Sequence, residues 1–146
     1  IHAEKTNCDV TYIHGEAEDL LPEKKEQFDV VTCLEAIEHV PDPQQLVKTC
    51  SELCKPGGTI VFSTINRNPK SFLFAIIGAE YILNLLPKGT HEFKKFLKPS
   101  ELSNMMRNSN LEVKEIIGMS YNPLTKKYWL GKDVDVNYMI HAEKSK

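Results

Sequence analysis

Apolar and polar positions alternate along this chain in a way that spells strand, helix, strand. The run Asp9-Val-Thr-Tyr-Ile-His14 predicts a strand that ends in Gly15 and an acidic loop, Glu16 to Asp19. Phe28-Asp-Val-Val-Thr-Cys33 is nearly continuous in apolar residues, the pattern of a strand with both faces covered. Pro41-Asp-Pro43 breaks the chain. From Gln44 to Cys54 the apolar residues Leu46, Val47, Cys50, Leu53 and Cys54 recur at helical spacing, with Asp42 available as a cap. Lys55-Pro-Gly-Gly58 cannot continue that helix, and Thr59 to Thr64 reads as a second buried strand, so a βαβ unit with parallel pairing is expected.

Further on, Ser71 to Leu86 is the most apolar stretch, interrupted by Glu80 and Asn84. It is too short and too polar for a bilayer span, which needs about 20 mostly apolar residues. An interfacial or lid helix and an ordinary core helix both fit it. Pro99 to Arg107 predicts a helix with Ser100 near its cap, Leu111 to Ile117 a half-exposed strand, and Val134 to Ala142 a closing strand, the last two as a hairpin at a sheet edge. Trp129 is expected to pack on an edge strand, and Asn137 and Tyr138 to fix the hairpin.

Composition narrows the class. At 146 residues and 41% hydrophobic the chain can bury one core, and a net charge of -2 excludes a binder that works by neutralising nucleic-acid phosphates. Lys88, Lys94, Lys95 and Lys98 leave room for a local basic patch. The four cysteines Cys8, Cys33, Cys50 and Cys54 form no C-x-x-C pair, so reduced thiols are expected, with Cys50 and Cys54 as packing residues.

The chemistry concentrates directly after the Phe28 to Cys33 run, in Cys33-Leu-Glu-Ala-Ile-Glu-His39. The carboxyl ends of strands face the ligand crevice in open α/β sheets. On a helix Glu35, Glu38 and His39 would share a face at i, i+3 and i+4, and two carboxylates with an imidazole suit Mg²⁺, Mn²⁺ or Zn²⁺. A solvated first helical turn fits the same spacing.

The order of strand, acidic loop, strand, Glu-x-x-Glu-His-Val-Pro-Asp-Pro, helix, Lys-Pro-Gly-Gly-x-x-x-x-Ser-Thr resembles the second half of a class I, S-adenosylmethionine-dependent methyltransferase. Ser63-Thr-Ile-Asn-Arg-Asn68, Gly78 to Leu83, Pro87 to His91, Tyr121-Asn-Pro123 and Asp135 to Met139 are similar to the O-methyltransferases of ubiquinone (coenzyme Q) biosynthesis, and Cys33 to His39 with Cys50 resembles the animal mitochondrial members more than the bacterial ones. The resemblance implies an α/β, Rossmann-like sheet, incomplete at its N-terminus, with antiparallel strands at its C-terminus. Residues 1–146 would be the C-terminal part of one domain, with 71–91 an apolar lid touching the membrane.

For the site, the resemblance implies Glu35, Glu38 and His39 as catalytic metal ligands, with His39 a general base only if no metal is used. Leu34, Ala17 and Glu18 would lie against S-adenosylmethionine, and the divalent cation would be Mg²⁺ in the first place. The implied substrate is a polyprenylated catechol. The implied setting is peripheral, on the matrix side of the inner mitochondrial membrane, among other coenzyme Q proteins, although no targeting segment is visible. Lys70, Lys88, Lys94 and Lys95 would meet anionic head groups. The Gly-rich turn that holds the donor in the family has no counterpart here, so impaired donor binding and a homo-oligomer joined through open sheet edges are expected. Two other readings stay open: a methyltransferase for a soluble small molecule, and a silent interaction module.

Overall fold

The computed structural model describes residues 9–71, 93–122 and 125–146. Five strands, β1 (Phe28–Leu34), β2 (Cys54–Ile65), β3 (Leu111–Asn122), β4 (Lys127–Gly131) and β5 (Asn137–Lys144), form one sheet in the order β1-β2-β5-β3-β4. β1 and β2 are parallel, and every other pair is antiparallel. Two helices longer than a single turn, α1 (Pro43–Leu53) and α2 (Pro99–Arg107), stand out among the described residues.

Both helices follow from local signals. Asp42 caps α1 by accepting the Gln45 amide at 3.0 Å, and Pro43 supplies the preset φ of a first helical residue. At α2 the expected Ser100 cap is replaced: Lys98 is the capping residue, and the Glu101 carboxylate reaches back to accept its amide at 2.9 Å. Val47 and Cys50 of α1 and Leu102 and Met106 of α2 are buried against Ile60, Phe62, Tyr138, Ile140 and Ala142 of the sheet. Ser51 joins the helices by donating to the Ser109 carbonyl at 2.6 Å.

Lys55-Pro-Gly-Gly58 does not separate helix from strand cleanly. Phe28 pairs with Cys54 and Val30 with Thr59, so residues 55–58 bulge out of the first turn of β2. Gly58 must be glycine there, because a Cβ would lie 2.9 Å from both the Asp29 and Lys55 carbonyl oxygens.

Three expectations are corrected. Asp9 to His14 joins no strand; a strand exists only where a neighbour takes its hydrogen bonds, and none does so among the described residues. β1 is not covered on both faces, since Phe28, Val30 and Leu34 are 38%, 57% and 50% exposed while Val31 and Cys33 point into the core. The closing strand is not at the edge: β5 inserts between β2 and β3, and the edge hairpin is β3–β4. Trp129 does lie on that edge strand, half exposed. The segment predicted as an apolar lid, 71–91, lies outside the described residues except for Ser71, and no helix among the described residues is long and apolar enough to cross a membrane.

Candidate active site

The carboxyl ends of β1 and β2 meet the first residue of β5, whose Asn137 pairs in register with Ile65. Leu34 ends β1, and Glu35 then takes a left-handed conformation at φ 51°, rare for a residue with a Cβ and worth about 1–3 kcal/mol of strain. Ser63 holds it there. The Glu35 amide donates to both the Ser63 carbonyl and the Ser63 hydroxyl, each at 3.1 Å, and that hydroxyl donates to Glu35 Oε1 at 2.7 Å. Asn137 Nδ2 donates to Glu35 Oε2 at 3.1 Å. Both oxygens of an exposed carboxylate are thus fixed.

Glu38 differs from it in burial. It is 2% exposed, in the 3₁₀ turn Ile37–His39, and takes a hydrogen bond on Oε2 from the fully buried Thr64 hydroxyl at 2.7 Å. Its Oε1 and Asn137 Oδ1 are buried with no protein partner. Successive residues of a strand point to opposite faces, so Ser63 and Thr64 hold the two glutamates from opposite sides of β2. The thiol of Cys33 is raised to about 11 by burial first and by Glu38 second. Tyr138, facing the core from β5, is raised far above a phenol's usual value by burial first, then by Glu101, Glu38 and Glu35. Its hydroxyl donates to the Leu97 carbonyl at 2.9 Å.

The shared helical face expected for Glu35, Glu38 and His39 is therefore corrected. The segment is a left-handed residue followed by a short 3₁₀ turn, which leaves Glu35 and His39 exposed and Glu38 buried. Among the described residues no three His, Cys, Asp or Glu side chains come together as a group that could hold a metal ion. Cys50 and Cys54 are buried as expected, with both thiols raised by burial, Cys50 to about 12. Lys70 pairs with Asp133 at 2.8 Å and Asp135 at 3.0 Å.

Ala17 and Glu18 line a cleft of about 380 Å³ with Val40, Pro41, Gln45 and Leu46. Thr49, on α1, donates to Glu18 Oε1 at 3.2 Å and orders that carboxylate. A cleft with such a mixture of apolar walls and acceptors has the character of a site for a flat base with an exocyclic amine. Leu34 does not line this cleft; it stands half exposed at the end of β1. Ser63, Thr64 and Asn137 were not singled out from the sequence as site residues. The available signal was two small hydroxyl residues closing an otherwise apolar strand, Ile60-Val-Phe-Ser-Thr64.

Comparison with known proteins fits this frame. The chain is 61% identical over 142 residues to the ubiquinone biosynthesis O-methyltransferase of Pseudomonas syringae pv. tomato, matching 97% of this chain and 61% of that protein. The protein of the same name from Marinobacter nauticus is 58% identical over 144 residues, matching 97% of this chain and 60% of its own length. The chain thus spans about three-fifths of these relatives. Among solved structures, an S-adenosylmethionine-dependent methyltransferase from Thermotoga maritima superposes with a TM-score of 0.68 at 26% identity, over 98% of this chain and 69% of that one. The sequence pattern described as a methyltransferase domain matches residues 4–116, a stretch that contains β1, α1, β2, α2 and the first half of β3, so the chain belongs to that family.

Proposed function

We propose that this chain forms the sheet-mouth portion of an S-adenosylmethionine-dependent O-methyltransferase acting on catechol-type hydroxyls of polyprenylated ubiquinone precursors. The observation that carries this reading is the 61% identity, across 97% of the chain, to a ubiquinone biosynthesis O-methyltransferase. When bound, S-adenosylmethionine supplies a methyl group on a sulfonium, and Ala17 and Glu18 would hold its base. A phenolic hydroxyl ionises near pH 10, so at neutral pH it needs a group that takes or shares its proton as the oxygen attacks. Glu35 is suited to that task, because Ser63 and Asn137 orient its carboxylate while leaving it open to solvent.

Dependence on a divalent cation has one feature in its favour, the unpartnered Oε1 of Glu38, and one against it, the separation of Glu35, Glu38 and His39 described above. Loss of turnover in chelator, regained with Mg²⁺ alone, would establish a role for the cation. The matrix-side mitochondrial setting, the membrane-touching lid and association with other coenzyme Q proteins rest on the resemblance alone, and the two relatives described above are bacterial.

A genetic test separates this reading from a silent module. In bacteria lacking their own ubiquinone O-methyltransferase, this chain fused to the part of the Pseudomonas relative it does not match is expected to restore ubiquinone. The chain alone is expected to leave the precursor unmethylated. A soluble, cooperatively unfolding fusion that restores nothing contradicts the reading, and restoration by the chain alone contradicts its expected impairment.

A further inference from the structure

Two of the strings that carry the family resemblance, Ser63 to Asn68 and Asp135 to Met139, lie side by side, although 68 positions separate Asn66 from Val134. The β2–β5 ladder ends at the pair Ile65 and Asn137. Past that last rung, the turn after β2 holds the β4–β5 connection mainly through side chains. Buried Asn66 donates its backbone amide to the Val136 carbonyl at 2.8 Å and its side-chain amide to the Val134 carbonyl at 2.9 Å. Asn68 Nδ2 donates to the Asp135 carbonyl at 2.6 Å, and Lys70 pairs with the carboxylates of Asp133 and Asp135. Each of residues 133–136 therefore takes at least one tie from this turn.

The turn is fixed in its own right. The Asn68 amide donates to Ser71 Oγ at 3.2 Å, the Ser71 amide donates to Asn68 Oδ1 at 2.8 Å, and the buried Ser71 hydroxyl donates to the Asn66 carbonyl. Fold stability alone is a weak reason for this convergence, since Lys70 and both its partners are exposed and exposed ion pairs contribute little. Position is a better one. The end rungs of a strand open most readily. Asn137 stands on such a rung, and its side chain is what holds Glu35 Oε2.

We propose that Asn66, assisted by Asn68 and Lys70, is a positioning residue of the methyl-transfer site: it holds residues 133–136 so that Asn137 keeps its side-chain amide on the Glu35 carboxylate. The catalytic half of this inference rests on the role of Glu35 in methyl transfer, whereas the ordering of Asn137 does not.

Two measurements test it. In the intact chain, ¹⁵N relaxation of the Asn137 side-chain amide is expected to give an order parameter near the rigid value of about 0.85, falling below about 0.6 in Asn66→Ala. Asn68→Ala with Lys70→Ala, which alters no buried side chain, should loosen it in the same direction, and Lys70→Arg should leave it rigid. In the fusion protein Asn66→Ala should lower kcat about tenfold or more, with KM for S-adenosylmethionine nearly unchanged, because a misplaced carboxylate affects the reaction and not donor binding. Lys70→Ala should lower kcat less, and Lys70→Arg should restore it. An Asn137 amide as rigid in the folded variants as in the unaltered chain would overturn the proposal. So would a loss of activity carried by KM alone. An unaltered fusion that transfers no methyl would count against the role of Glu35, and the relaxation data would still decide whether the turn orders Asn137.

Discussion

Asn137 donates its side-chain amide to Glu35 Oε2 at 3.1 Å, joining the first residue of β5 to the residue that follows β1 across 102 positions of sequence. The bond completes a clamp whose other jaw is Ser63, so the carboxylate has one orientation. Asn137→Ala would free one side of it. In the fusion protein the expected result is a fall in kcat/KM for methyl transfer of up to about 10²-fold, with urea stability little changed. Asn137→Asp, which sets a like charge against Glu35, should do more damage than alanine. Equal activity in both variants would remove Asn137 from the site.

Thr64 gives a prediction about stability. Its hydroxyl donates to the Glu38 carboxylate, which is 2% exposed. Thr64→Val keeps the shape and deletes the donor, leaving Glu38 buried with neither oxygen paired. A hydrogen bond to a charged group contributes about 1.5–3 kcal/mol, and a urea titration should show a loss of that order. Combining it with Glu38→Gln should recover part of the loss, because a neutral amide is less costly to bury unpaired.

Gly118 lies directly against the backbone of Asp133 and Val134. A Cβ at this position would stand 1.7 Å from the Asp133 carbonyl oxygen, and no side-chain motion can relieve that clash. Gly118→Ala is expected to displace residues 133–134 and destabilise the protein by about 1–3 kcal/mol in thermal or urea unfolding. Because Asp133 and Asp135 hold Lys70, the same variant should weaken the tie between the β4–β5 connection and the turn Pro69–Ser71.

These elements also show what the sequence could and could not disclose. Helix α1 was legible from Asp42, Pro43 and a single apolar stripe, because its signals are local. The parallel pairing of β1 and β2 followed from the helix between them. The insertion of β5 between β2 and β3 was not legible, since alternation tells which residues face the core but not which strand lies beside which. The site suffered from the same limit. Glu35 and Glu38 look equivalent in sequence, and only the opposite facings of Ser63 and Thr64 make one an exposed, clamped carboxylate and the other a buried one. The exposed face of β1 was missed because an apolar run reads as doubly covered whether or not its neighbours are there.

Cysteine ionisation predicts a pH effect. Folding raises Cys33 from its ordinary value of 9.0 to about 11 and Cys50 to about 12, chiefly by burial. Above pH 9 the unfolded chain loses thiol protons that the folded chain keeps, so stability present below pH 9 is lost as pH rises toward 11. Tyr138, raised from 10.0, adds to the loss above that pH. Urea midpoints measured from pH 8 to 10.5 should decline, and Cys33→Ala with Cys50→Ala should flatten the part of the decline below pH 10. Thiol reagents at neutral pH should react with the buried Cys50 only as fast as the protein opens.

The most direct measurement is methyl transfer itself. The fusion protein, supplied with S-adenosylmethionine carrying a trideuterated methyl group and a short-chain polyprenyl catechol, is followed by mass spectrometry of the lipid product. The account predicts one trideuteromethyl added at a phenolic oxygen by the unaltered fusion, and almost none by Glu35→Ala in a fusion that is still folded. Full transfer by the folded Glu35→Ala variant would contradict it.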